Sequence, residues 1–358
     1  MGDLVMKELF SIFKNKKVFI TGDTGFKGSW LSLWLKELGA DVLGYALPPD
    51  SADCNFSKLK LNTLIKHIDG DIRDLEHMRS VINEFKPEFV FHLAAQAIVR
   101  ESYADPKYTF DTNVSGSVNL LECVRHSDSV KVCVYVTSDK CYKNKEWIWG
   151  YRESDELGGH DPYSASKAAA EIVFSSYVDS FFREKKQIGI ASVRAGNVIG
   201  GGDWSKDRII PDCIRALKNN EPIILRRPLS TRPWQHVLEP LSGYLTVAAK
   251  LYNEPKEFSG SWNFGPKVET SRTVEELANK IIEKWGAGKI EKPVLDKQPH
   301  EANLLQLNCD KASILLHWRP RWGFDTTVNE TVAWYRKMVD GEPIIEITRQ
   351  QIKKYMEA

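Results

Sequence analysis

Three glycines stand three residues apart in the run Val18-Phe19-Ile20-Thr21-Gly22-Asp23-Thr24-Gly25-Phe26-Lys27-Gly28. An apolar, β-prone stretch leads into them. A helical pattern follows at once: Trp30, Leu31, Trp34, Leu35 and Leu38 fall on one face, and Gly39 sits where a helix stops. Strand, glycine turn and helix in immediate succession leave few folds open. Glycines let backbone N–H groups approach a phosphate, and the helix N-terminus adds partial positive charge, so the segment suits a pyrophosphate. A glycine turn alone is a common surface feature. This one joins the first strand to the first helix, which is the context of a dinucleotide site. Gly22, Thr24, Gly25, Phe26, Lys27 and Gly28 are therefore candidate cofactor contacts.

The rest of the N-terminal half fits that start. Strand-like runs at Lys17–Thr21, Asp41–Tyr45, Lys66–Asp69, Phe89–Ala95, Val130–Ser138 and Ile188–Val198 alternate with helical patterns. One pattern holds Leu75, Met78, Val81, Ile82 and Phe85 before Pro87; another runs from Pro106 to His126. Alternation of this kind predicts an α/β fold, a Rossmann-like doubly wound parallel sheet with ligands beyond the C-terminal ends of its strands. After about residue 200 the alternation degrades. We expect residues 1–200 to form the cofactor domain, with part of 236–268 returning to it. Residues 201–235 and 269–358 are expected to form a smaller, mostly C-terminal substrate-binding region. Helices are predicted there from Val274 to Trp285 and from Thr326 to Met338.

Composition excludes several classes. Across 358 residues, 49 basic side chains balance 48 acidic ones, so no charge excess argues for nucleic acid or an anionic membrane. No apolar run approaches the ~20 residues of a membrane helix, and Met1–Lys17 does not read as a signal peptide. Cys54, Cys123, Cys133, Cys141, Cys213 and Cys309 form no Cys-x-x-Cys and no zinc spacing. No metal site is expected, and the thiols suit a reducing cytoplasm.

Two further segments carry chemistry. In Tyr163-Ser164-Ala165-Ser166-Lys167 the tyrosine and lysine lie one helical turn apart on one face. An ammonium near a phenol stabilises the phenolate and lowers its pKa from ~10, so Tyr163 is a candidate base for an alcohol hydroxyl. Lys167 is also free to reach the cofactor ribose. Chance supplies such pairs; this one follows the fifth strand of a domain that opens with the glycine turn. The other segment is Val136-Thr137-Ser138-Asp139-Lys140, at the end of that strand, where the fold places catalytic side chains. Ser138 can share a proton with Tyr163, and Asp139 and Lys140 add an acid and a possible base.

Together these segments resemble the extended short-chain dehydrogenase/reductases, of the nucleotide-sugar 4,6-dehydratase type. The resemblance runs from about residue 15 to 340. It includes Gly70-Asp71-Ile72-Arg73-Asp74, His92-Leu93-Ala94-Ala95-Gln96, Thr112-Asn113-Val114-Ser115-Gly116 and Arg194-Ala195-Gly196-Asn197-Val198. It continues through Gly200-Gly201-Gly202-Asp203-Trp204, Thr231-Arg232-Pro233-Trp234-Gln235-His236-Val237 and Trp262-Asn263-Phe264-Gly265-Pro266. The resemblance implies bound NAD, with Asp71, Ile72, Leu93, Ala94, Gln96, Thr112, Tyr163 and Lys167 among its contacts. It also implies CDP-glucose as substrate and a homodimer or homotetramer paired through the Pro106–His126 and Pro162–Arg183 segments.

Two departures stand out. Most dehydratases of this type carry a glutamate where Lys140 stands. The second strand ends Leu43-Gly44-Tyr45-Ala46-Leu47, with no acid for the adenosine ribose, so the sequence at that point leaves NAD and NADP open; no arginine takes the acid's place either.

The implied reaction begins when Tyr163 takes the proton of the glucose C4 hydroxyl while C4 gives hydride to NAD. A base then removes the acidified C5 proton, and Asp139 protonates the C6 hydroxyl as it leaves as water. Hydride return to C6 gives a 4-keto-6-deoxy sugar. Lys140 is either the C5 base, which requires its pKa to fall well below ~10.4, or a positioning charge. Arg208 and Arg232 suit the substrate pyrophosphate, since guanidinium groups bind phosphate oxygens in pairs. Asn197 and His300, with Glu301, complete the expected substrate contacts. Two other readings remain: a nucleotide-sugar 4-epimerase, which needs no acid or base at C6, and a non-catalytic NAD-binding sensor.

Overall fold

β-Branched and aromatic runs bounded by turns make the strands, and their period-two alternation sorts side chains to two faces. The computed structural model describes residues 3–49, 51–183, 188–266, 271–293 and 304–358. Seven strands form the main sheet: β1 (Lys17–Thr21), β2 (Asp41–Ala46), β3 (Lys66–Asp69), β4 (Phe89–His92), β5 (Val132–Val136), β6 (Gly189–Arg194) and β7 (Gly260–Asn263). Their order is β7-β6-β5-β4-β1-β2-β3, and every neighbouring pair is parallel. The chain order reverses between β1 and β4, which opens the crevice where such sheets bind ligands.

Helices cover both faces. On one lie α1 (Phe26–Glu37), following the glycine turn, and the long apolar helix Leu238–Asn253; Trp30, Trp34, Leu241 and Leu245 join Val18, Ile20, Val132 and Val134 in one core. On the other lie α2 (Gly116–His126) and α3 (Pro162–Tyr177), whose Leu120, Val124, Ala170 and Phe174 pack with Phe19, Val90, Cys133 and Tyr135. Adjacent residues of one strand thus enter opposite cores.

β7 pairs with β6 in the register Trp262↔Val193, so residues after 236 extend the main sheet. The remaining chain forms the helices Ile209–Lys218, Val274–Trp285, Phe324–Val339 and Ile344–Met356. Among the described residues there are also three two-stranded pieces, one of them Thr231–Arg232 against Arg272–Thr273.

Some boundaries differ from the sequence reading. β4, β5 and β6 stop at His92, Val136 and Arg194, short of the Ala95, Ser138 and Val198 expected. Each chain leaves the sheet there to reach the crevice; Asn197 does so in the left-handed region, at φ 51°. The two long helical patterns each contain a π turn, Asp111–Ser115 before α2 and Val178–Phe182 after α3. Such turns shift the side-chain phase within a helix and recur at functional sites.

Candidate active site

The glycine turn is built at van der Waals limits. Gly22 takes φ 78°, and a Cβ on it would lie 2.7 Å from the Ala94 nitrogen at the end of β4. A Cβ on Gly28 would come within 2.0 Å of the Gly22 carbonyl oxygen. Two strand ends and a helix start therefore meet only because these side chains are absent. Gly25 is the N-cap of α1 and brings no side-chain acceptor to the first N–H groups. A cradle without Cβ atoms, closed by a helix N-terminus lacking a side-chain cap, fits a dinucleotide pyrophosphate. Phe26 reaches across to Gly200, and the Thr24 hydroxyl donates to the Leu47 carbonyl.

The other expected cofactor residues ring the same crevice. The Leu93 amide donates to the Thr21 carbonyl and the Ala94 amide to Thr21 Oγ1. Asp71 pairs with Arg73, and its carbonyl accepts from Tyr45. Ile72 packs where a Cβ on Gly116 would fall, 2.7 Å from its Cδ1. Thr112 is buried, with its hydroxyl unpaired. The Gln96 amide donates to Asn113 Oδ1 at 2.8 Å, and Asn113 Nδ2 donates to Ser166 Oγ at 2.9 Å. Asn113 thus ties the loop after β4 to the helix that carries Tyr163.

Helix α3 starts at Asp161, whose carboxylate accepts from the Ser164 amide, with Pro162 in the first turn. This start places Tyr163 and Lys167 inward, both buried. At the end of β5 the Ser138 hydroxyl donates to Asp139 Oδ1 at 2.9 Å, and the Lys140 amide donates to Ser138 Oγ at 3.3 Å. The Asp139 carboxyl lies flat on Gly196: a Cβ there would sit 1.8 Å from Oδ2. Lys140 is half-buried beside it.

Burial dominates the ionisation of the cluster. The sequence has Lys167 drawing the Tyr163 phenol down. Burial pushes Tyr163 up to about 12, while a hydrogen bond with Ser138 and the charge of Arg208 act in the opposite direction. Burial also brings Lys167 down to about 8, against the pull of Glu171. Lys27 is likewise held at about 8 by burial, with Arg208 and Lys167 adding to the effect and Asp139 opposing it. Lys27, read from sequence as a cofactor contact, therefore also lies within the field of Asp139, Lys167 and Arg208.

On the substrate side, Arg208 pairs with Asp203 at 3.1 Å and acts on Tyr163. Arg232 lies on the short strand beside Arg272, and its guanidinium donates to the Thr231 carbonyl. Asn197 follows Gly196 directly. His300 and Glu301 lie outside the described residues. Among the described residues, no group of three or more His, Cys, Asp or Glu side chains could hold a metal.

Sequence reasoning missed several residues. Gly196, Gln235 and Gln306 line one small pocket with the expected Asp139 and with Pro233, Gly265, Pro266 and Leu307. Gln235 Nε2 donates to the Gly196 and Phe264 carbonyls, which fixes the seat of Asp139. Gln235 was visible inside the Arg232–Val237 segment, but nothing local marks it as facing Asp139. Glu171 and Arg194 form a buried ion pair beneath the cluster. Glu171 continues the Tyr163, Lys167 spacing by one more turn, a signal the sequence did contain.

Comparison with known proteins finds relatives along almost the whole chain. The chain is 51% identical over 352 residues to a CDP-glucose 4,6-dehydratase of Salmonella typhimurium, covering 97% of this chain and 98% of that protein. It is 28% identical over 337 residues to a dTDP-D-glucose 4,6-dehydratase of Bos taurus, covering 90% and 89%. Its fold matches the crystal structure of a dTDP-glucose 4,6-dehydratase from Bacillus anthracis in complex with NAD, with TM-score 0.74 at 22% identity over 92% of this chain and 99% of that one. An epimerase from Methanothermobacter thermautotrophicus matches with TM-score 0.81 at 23% identity over 97% and 98%. The family model described as GDP-mannose 4,6 dehydratase matches residues 19–331, and the chain belongs to that family.

Proposed function

We propose that the protein is an NAD-dependent nucleotide-sugar 4,6-dehydratase that converts CDP-glucose to CDP-4-keto-6-deoxyglucose and water. The observation that carries the reading is Asp139: a buried carboxyl, bonded by Ser138 and seated on Gly196, beside Tyr163. A 4-epimerase has no step for such an acid, and a cofactor sensor has no use for the whole cluster. The choice of CDP-glucose rests on the Salmonella relative and on motif likeness along the chain.

Bound NAD supplies reversible two-electron oxidation at C4. Tyr163 takes the C4 hydroxyl proton, with Ser138 bonded to the phenol and Lys167 one turn below. Asp139 gives a proton to the departing C6 hydroxyl. Lys140 stands next to it for the C5 proton, as base or as positioning charge. Arg208, Arg232 and Asn197 hold the substrate diphosphate. We assign residues 1–200, with part of 236–268, to the cofactor part, and 201–235 with 269–358 to the substrate part. Ile172 on α3 and Phe110, before the π turn that leads into α2, are exposed, and these helices suit a homodimer or homotetramer. Among the described residues no helix is long and apolar enough to cross a membrane, and all six cysteines are free; we place the protein in the cytoplasm.

The test is to mix the protein with NAD and CDP-glucose and follow the alkaline absorbance of a 4-keto-6-deoxy product. Turnover should be faster with CDP-glucose than with dTDP- or UDP-glucose. Comparable kcat/KM for dTDP-glucose refutes the nucleotide assignment, and epimerised product without water loss refutes dehydration.

A further inference from the structure

Tyr163, Lys167 and Glu171 lie at i, i+4 and i+8 of α3, on one face. Glu171 is almost fully buried, and so is its partner Arg194 at the end of β6. The pair is bidentate: Arg194 Nε donates to Oε1 at 3.0 Å and Nη2 to Oε2 at 2.7 Å. Glu171 also accepts from the Thr137 hydroxyl and from Ser192 Oγ at 2.8 Å. Arg194 donates further to the Tyr142 hydroxyl at 2.6 Å and the Glu153 carbonyl at 3.0 Å.

Each end of this network runs directly into the catalytic cluster. Thr137 precedes Ser138. Arg194 stands two residues before Gly196, on which the Asp139 carboxyl lies. Glu171 stands one turn after Lys167. A buried ion pair is weak evidence for stability, because desolvating both charges offsets their attraction and an apolar pair of equal volume is often as stable. Its value here lies in direction and charge. We propose that the buried Glu171–Arg194 pair is a positioning unit for the reaction, holding Ser138 and Lys167 in register with Tyr163 and keeping Lys167 charged.

The charge inventory around Lys167 supports the second role. Glu171 faces it from its own helix, Cys141 from the turn after β5, Lys27 from α1 and His92 from β4. Burial keeps the Cys141 thiol protonated and the His92 imidazole neutral, and Lys27 is a cation. Among the described residues, Glu171, paired with Arg194, is thus the anion acting on Lys167. Without it, Lys167 loses its proton at lower pH, and the activity that needs the charged lysine is lost at lower pH.

The inference rests on the proposed dehydratase reading, and the parent protein separates the two. If the parent does not turn over CDP-glucose, the reading fails; if it does, the variants test the pair. In Glu171→Gln, KM for CDP-glucose should hold, since the side chain does not reach the substrate. The descending limb of the kcat–pH profile should move toward acid pH by roughly one unit, the scale of losing a close opposite charge. An unmoved limb, with kcat falling only as the folded fraction by circular dichroism, overturns the proposal. Should that variant not fold, Glu171→Asp keeps the charge but retracts it by one methylene. Its kcat should fall about tenfold or more through misplacement, with the limb where the parent has it. A parental kcat in Glu171→Asp overturns the positioning role.

Discussion

Replacing Gly196 by alanine tests the placement of Asp139 without touching its chemistry. The new Cβ would lie 1.8 Å from Asp139 Oδ2, 2.1 Å from its Cγ and 2.5 Å from Oδ1. Ordinary contacts begin near 3.4 Å. The carboxyl must therefore retreat by roughly 1.5 Å, or the Ala195–Asn197 backbone must move by a similar amount; a 1 Å misplacement at a reacting centre costs about 10²-fold. Retreat also breaks the bond from Ser138, and a general acid contributes typically ~10²–10⁴-fold, so kcat should fall by about 10²–10³-fold. Overpacking costs about 1–3 kcal/mol, within the 5–15 kcal/mol stability typical of domains, so the variant should fold. The glycine turn is untouched, and NAD affinity, followed by fluorescence quenching, should match the parent. The assay is product formation at saturating CDP-glucose. A kcat within about tenfold of the parent, under 1.4 kcal/mol of barrier, would refute the claim that Asp139 works from its seat on Gly196.

Four further outcomes are expected. Tyr163→Phe should keep NAD bound and abolish turnover, because packing survives and the base does not; turnover within tenfold of the parent removes Tyr163 from the mechanism. Asp139→Asn should slow product formation by about 10²–10⁴-fold while C4 oxidation continues, so absorbance of reduced nicotinamide should rise on adding CDP-glucose. In Lys140→Ala, solvent deuterium should no longer enter C5 by NMR if the lysine is the base; normal exchange makes it a positioning charge. Buried His236 is held neutral, its imidazole pushed down to about 3 by desolvation, against ~6.5 in an unfolded chain. Below pH 6.5 the unfolded chain therefore binds the extra proton, and stability present above pH 6.5 is lost as pH falls toward 3. In urea titrations between pH 6 and 4, His236→Gln should reduce that slope by about 1.4 kcal/mol per pH unit. An unchanged slope assigns the acid loss elsewhere, His92 being the next candidate.

What the sequence determined by itself is local. The strand, glycine turn and helix of Lys17–Glu37 are legible because their pattern lies within about twenty residues and glycine alone tolerates the turn. The Tyr163, Lys167 spacing is legible because helical neighbours are fixed by 3.6-residue geometry. Val274–Trp285 matches the expected bounds because both ends are set locally, by the Thr273–Glu276 capping box at its start and Gly286 in the left-handed region at its end. Tertiary structure decided what depends on distant residues meeting. Only packing shows that Gly196 is bare because Asp139 lies on it, that Gln235 holds that seat, and that Arg194 meets Glu171. Ionisation follows the same division. Sequence places a cation near Tyr163, but burial from every side sets the sign of the shift, and burial is a property of the assembled core.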